Sequence, residues 1–141
     1  LRVLGAVSAA PSTGWRGARW IALLLLCAAY LQGSIDKALD FPGAIAEMAH
    51  FGLAPPALFA ALVIVLELGA SLAILSGVLR WAGAVALALF TLGATFVAVR
   101  FWELPPPQRL PAANTFFEHL GLAGGFLLVA WHDWRERYGA R

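Results

Sequence analysis

Between Trp81 and Val99 no side chain carries a charge. A helix of that length reaches roughly 28 Å at 1.5 Å per residue, close to the ~30 Å hydrocarbon core of a bilayer. Such a run is too uniformly apolar to be one face of a soluble helix. Two further stretches share its character: about 18–35, uncharged between Arg19 and Asp36, and about 57–77, where Glu67 is the one ionisable residue. A shorter block starts at Phe116 or Leu120, runs to Trp131 and is ended by His132, Asp133 and Arg135. Composition agrees, with 61% of residues hydrophobic and 13% charged, where soluble domains carry about a quarter charged residues. The expected fold is an all-α membrane protein. Its four transmembrane helices, at about 18–35, 57–77, 81–99 and 116–131, form an antiparallel bundle within one domain, 18–134.

The segments between these blocks follow from their turn chemistry. Residues 1–17, with Gly5, Pro11 and Gly14, read as an irregular cytoplasmic lead, and 135–141 as a cytoplasmic tail. Asp36, Lys37 and Asp40 mark an exit into water, and Asp40-Phe41-Pro42 can cap a short helix ending near Gly52. Phe41, Ile45 and Met48 share a face that Glu47 and His50 avoid. That segment either lies flat in the interface or covers the bundle mouth as an ordinary loop helix. Pro105-Pro106-Pro107 and Pro111 predict a stiff, non-helical loop outside the hydrocarbon. Arg2, Arg16, Arg19, Arg80, Arg135, Arg137 and Arg141 fall on one side of the bundle, against Lys37, Arg100 and Arg109 on the other. Seven against three places both termini in the cytoplasm, and all six tryptophans fall at or near span ends as an aromatic belt.

Helices in lipid approach closely through small residues at four-residue spacing. Ala29 and Gly33, then Gly69, Ala73 and Gly77, then Gly121 and Gly125 supply that pattern. Basic residues stand singly at block ends and form no patch, which sets nucleic acid aside as a partner. The single cysteine, Cys27, sits in an apolar run and excludes an internal disulfide or a dithiol relay. His50, His119 and His132 match no ligand spacing, so no metal is expected. Glycine loops for phosphate and nucleophile elbows are absent from the sequence.

Glu67 is the most informative side chain. A charged group at mid-bilayer costs roughly 2.5 to 3.5 kcal/mol on insertion scales, so Glu67 should face the bundle interior, beside Ala60, Ile64, Ala70, Ser71 and Ile74. There it serves either as a proton-accepting carboxylate or ligand anchor, or as a protonated acid holding a neighbouring helix. At the outer mouth, Asp36, Lys37, Glu47, His50, Arg100, Glu103, Glu118 and His119 should collect, with Phe101 and Trp102 near. They read either as the polar entrance to a pocket for a quinone-like head group or as solvated boundary markers.

Tyr30-Leu31-Gln32-Gly33-Ser34-Ile35-Asp36-Lys37, Asp40-Phe41-Pro42-Gly43, Phe51-Gly52-Leu53-Ala54-Pro55, Leu66-Glu67-Leu68-Gly69 and Leu75-Ser76-Gly77-Val78-Leu79-Arg80 occur in that order. With Phe101-Trp102 and Gly124-Gly125-Phe126-Leu127-Leu128, this arrangement resembles the DoxX family of small membrane proteins over roughly residues 20 to 130. The resemblance implies a four-helix membrane fold and association with quinone-linked respiratory oxidoreductases. Lys37, Glu67 and Arg80 fall where the family pattern expects them. The family's histidine before Phe-Trp and its Lys-Asn at the start of helix four are replaced by Val99 and Glu118-His119.

These readings give a candidate buried site of Glu67, Lys37 and Arg80 and candidate outer-mouth residues Arg100, Trp102 and His119. The first functional expectation is a membrane subunit of a larger oligomeric complex, quinone-linked, contributing packing surface and part of a quinone or lipid pocket. Its partners are lipids and other membrane-protein subunits, it need not catalyse anything itself, and no cofactor beyond a quinone is expected. The alternative is a small proton-coupled transporter or channel using Glu67. A quinone-dependent enzyme acting alone ranks third. The bacterial cytoplasmic membrane is the expected location.

Overall fold

In the computed structural model, which describes residues 13–139, the first helix, α1, spans Thr13–Leu39. Helical geometry therefore already includes Thr13 to Gly17, which the sequence had placed in the irregular lead; the rest of that segment lies outside the described residues. The helix also continues through Asp36 and Lys37 instead of ending before them. Gln32 hydrogen-bonds Asp36 one turn on, and Lys37 reaches back to the Gly33 carbonyl, so both charged side chains are held on helical backbone.

Asp40 turns the chain into α2, Phe41–His50, where its carboxylate accepts the Gly43 N–H at 3.0 Å and Pro42 occupies the first turn. Ala44 and Met48 are buried against Ala60, with Phe41, Ile45, Phe59 and Val63 packed around them, while Glu47 and His50 stay exposed. α3, Pro56–Ser76, ends on Gly77, whose φ of 82° is a left-handed cap that a β-carbon would strain. α4 follows as Arg80–Ala98, and a single 3-10 turn, Phe101–Glu103, leads to α5, Pro106–Tyr138.

The proline-rich segment is a correction to the sequence reading, because it is helix instead of loop. Pro106 and Pro107 occupy first-turn positions, where a missing N–H has no helical acceptor to lose, so they start α5 instead of preventing it. Pro111 lies inside the helix and forfeits only the bond to the carbonyl of residue 107. The first turns of α5 are thus an exposed extension, and the chain reaches the bundle at Phe116, which is buried against Phe96, Phe101 and Trp102.

α5 runs antiparallel to α4, as the pairings Trp81 with Asp133 and Thr95 with His119 require. α3 packs between α1 and α4, and α2 lies against α3. Leu23 and Cys27 from α1, Ile74 from α3, Leu87 from α4 and Phe126 from α5 meet in one core. Leu25, Leu62, Val65, Leu89 and Leu128 are exposed on the outside, a distribution suited to acyl chains instead of water. No strand occurs among the described residues.

Three helices, Thr13–Leu39, Pro56–Ser76 and Arg80–Glu103 when the 3-10 turn is included, are long and apolar enough to cross a membrane. α5 is the longest helix but is not one of them, since Glu118 and His119 on one side and His132 and Asp133 on the other limit its uncharged middle.

The small-residue seams form differently from the spacing rule. A β-carbon added at Gly69 or Gly121 would meet nothing within 4 Å, so neither glycine is a packing contact, and Ala29 is exposed. The closest approach between two helices at a glycine is at Gly83, where a β-carbon would stand 2.7 Å from the Ala70 carbonyl oxygen and 3.1 Å from Ala73 Cβ. Of the triplet on α3, only Ala73 shares in it. Gly125 faces Leu26 at ordinary contact distance, and Gly33 faces the side chains of Lys37 and Glu67.

Candidate functional site

Glu67 lies on the inner face of α3 with Ala60, Ala70, Ser71 and Ile74, all buried, and Ile64 half-buried beside them. Its Oε2 stands 3.3 Å from Lys37 Nζ, and the ammonium also donates to the Gly33 carbonyl at 3.5 Å. The side chain of Glu67 is 8% exposed and that of Lys37 is 19% exposed. The absence of a β-carbon at Gly33 leaves the space in which these two groups meet, since one would lie 3.3 Å from Lys37 Nζ and 3.7 Å from Glu67 Oε2. A carboxylate in hydrocarbon is tolerated when a paired cation offsets its lost hydration, and the Lys37 ammonium, carried on a long apolar stem, supplies that here.

Beside the pair, α2, α3 and α4 border a half-open cavity of about 430 Å³. Phe51, Phe59, Leu62, Phe90 and Val97 make its walls apolar, and Lys37 and Glu47 are its ionisable lining residues. Lys37 therefore touches both the cavity and Glu67. The carboxylate holds the ammonium at the cavity wall, leaving its one remaining N–H bond for an acceptor inside. Gly93 also lines this cavity, and a β-carbon there would meet nothing within 4 Å.

A second polar group crosses from α1 to α5. The Tyr30 hydroxyl shares a short hydrogen bond with Thr91 Oγ1, Thr91 donates to the Leu87 carbonyl at 2.6 Å, and Thr95 donates to the Thr91 carbonyl at 2.6 Å. His119 Nδ1 lies 2.9 Å from Thr95 Oγ1 and lines, with Tyr30 and Thr91, a small cavity of about 120 Å³. Sequence reasoning passed over Tyr30, Thr91 and Thr95. Two threonines one turn apart on an uncharged helix were the signal, because buried hydroxyls demand partners.

At the other end of the bundle stands Asp133, with only 2% of its surface exposed. It accepts Arg137 Nε at 2.9 Å and the Trp81 backbone N–H at 3.1 Å, and lies 3.9 Å from Arg80 Nη1. Arg80 Nε also donates to the Ile74 carbonyl at 2.8 Å. Asp133 had been read only as the end of a span.

Two of the three residues assigned to the buried site thus meet, Lys37 and Glu67, while Arg80 belongs to a different cluster. Its Nε bonds the Ile74 carbonyl, seven positions beyond Glu67 on α3, roughly 10 Å along the helix. The expected outer mouth does not gather either. Arg100 pairs with Glu103 at the surface, Trp102 packs on Phe101 and Phe116, and His119 points between α4 and α5. Among the described residues no group of three or more His, Cys, Asp or Glu side chains could hold a metal ion.

A family model described as DoxX matches residues 16–100, which takes in Lys37, Glu67 and Arg80 and stops before α5. The inner membrane protein YphA of Escherichia coli (strain K12) is 27% identical over 110 residues, covering 78% of this chain and 79% of YphA. No solved structure matches the chain. The match extends over the helices that are apolar enough to cross a bilayer: the chain belongs to the DoxX family and is an integral membrane protein.

Proposed function

We propose that this chain is a subunit of a larger inner-membrane assembly and that it offers a pocket for an amphipathic ligand of the quinone class. The apolar cavity whose wall carries the Lys37 ammonium, held by Glu67, is the observation that supports this reading. A quinone needs apolar walls for its ring and tail and a hydrogen-bond donor at a carbonyl oxygen, and the cavity has both. Lys37 is the donor and Glu67 the positioning residue.

In the same reading α5 is the fourth span, α2 lies in the interface, and both termini face the cytoplasm. The antiparallel packing of α5 on α4 and the excess of arginine at the Arg80 end support that arrangement. The location rests on the resemblance to YphA, an inner membrane protein.

A photoreactive quinone in native membranes tests the pocket. Label is expected on the α2–α3 and α4 cavity segments. Gly93→Phe fills the cavity from a position with free space and is expected to remove at least nine-tenths of that label, while Lys37→Met lowers it severalfold. Labelling that ignores both variants overturns the proposal. Purification from the same membranes should yield other membrane subunits in fixed ratio.

The buried carboxylate also suits the transporter reading. Under that reading Glu67→Gln abolishes proton-coupled flux in proteoliposomes, and Gly93→Phe leaves quinone labelling unchanged.

A further inference from the structure

Arg16, Arg19 and Arg80 surround a cleft of about 240 Å³ together with Trp20 and Leu23. Arg19 and Leu23 also line an apolar groove of about 540 Å³ between α1 and α5, whose other walls include Leu26, Leu128 and Trp131. The two spaces share those residues and so adjoin one another. Charge at this end is not balanced. Asp133 serves Arg80 and Arg137, and Glu136 serves Arg19 and His132. Arg135 is stacked over Trp131, its guanidinium carbon 4.9 Å from the ring centroid, and Arg16 has no carboxylate partner among the described residues. Among the described residues, five guanidinium groups thus stand at this end against two carboxylates.

From this juxtaposition we propose an anionic phospholipid site, with the phosphodiester in the Arg16, Arg19 and Arg80 cleft and an acyl chain along the α1/α5 groove. The dimensions agree. Arg19 to Leu26 is seven positions, roughly 10 Å along the helix, so the groove begins at headgroup depth, where Trp20 and Trp131 lie, and descends toward the bilayer middle. Planar guanidinium groups bind phosphate oxygens in pairs, and each basic side chain near an anionic surface contributes about fivefold in affinity. An apolar groove alone accepts any lipid, and the arginines select the anionic one. This site is at the opposite end of α3 from the Lys37 cavity and does not depend on it.

Native mass spectrometry of the full chain, exchanged into detergent with phosphatidylglycerol or phosphatidylcholine, tests the site. The unaltered protein is expected to retain phosphatidylglycerol at least tenfold better. Arg16→Gln with Arg19→Gln changes exposed side chains that the Asp133 network does not use, and should lower that retention about tenfold without affecting phosphatidylcholine. Ala22→Phe, which fills the groove from an exposed position, should reduce retention of both lipids. Equal retention of the two lipids, or indifference to the arginine changes, overturns the proposal. Displacement of phosphatidylglycerol by millimolar inorganic phosphate, with Ala22→Phe having no effect, shows a free-anion site and overturns it equally.

Discussion

Asp133→Ala is expected to lower the stability of the folded bundle by about 3–5 kcal/mol, the usual cost of removing one member of a buried charge cluster. The carboxylate has three duties. It balances Arg80 and Arg137, and it accepts the Trp81 N–H in the first turn of α4, where Leu79 at the cap position provides no side-chain acceptor. An acid on α5 therefore caps α4, while Arg80 and Arg137 satisfy the Ile74 and Gly77 carbonyls at the end of α3. Removing Asp133 strips the cap and leaves two guanidinium groups without their counter-charge. Denaturant titration in mild detergent micelles measures the loss. Asp133→Asn keeps an acceptor for Trp81 but no charge, and should fall between the two. If Asp133→Ala unfolds within about 1 kcal/mol of the unaltered chain, the network is not what joins the α3–α4 turn to α5.

The sequence revealed most where one physical demand had one solution. Uniformly apolar stretches long enough to cross a bilayer can satisfy their backbone groups only as helices, so α3 and α4 were legible almost to their ends. Glu67 was legible for a related reason, since a carboxyl group at that depth has to face inward. Asp133 was not, because acids beside a span end are usually solvated, and nothing local distinguishes it from Glu136 one turn later, which is half exposed. The distinguishing information was spread over two helices: Arg137 four positions on in α5, and, across the bundle, Arg80 and the uncapped first turn of α4. Prolines misled in the opposite way. Their meaning depends on the turn of the helix they occupy, and Pro106 is an initiator only because the chain turns helical there.

Gly83 shows the same limit in packing, and its substitution is the second large effect expected. Four-residue spacing could not have found it, because its neighbours at that distance are Leu79 and Leu87. Its smallness matches the Ala70 carbonyl oxygen and Ala73 across the interface, not a repeat on its own helix. Gly83→Ala places a β-carbon 2.7 Å from that backbone oxygen, which no side-chain rotation relieves, so α3 and α4 must separate. A cost of about 2–3 kcal/mol follows from forced overpacking. Gly93→Ala, on the same helix with nothing within 4 Å of the new carbon, should be neutral or stabilise by up to about 1 kcal/mol through helix propensity. The pair separates close approach from any general effect of glycine in α4. Equal responses would mean that helix propensity governs both positions, and that α3 and α4 do not meet at Gly83 in the membrane.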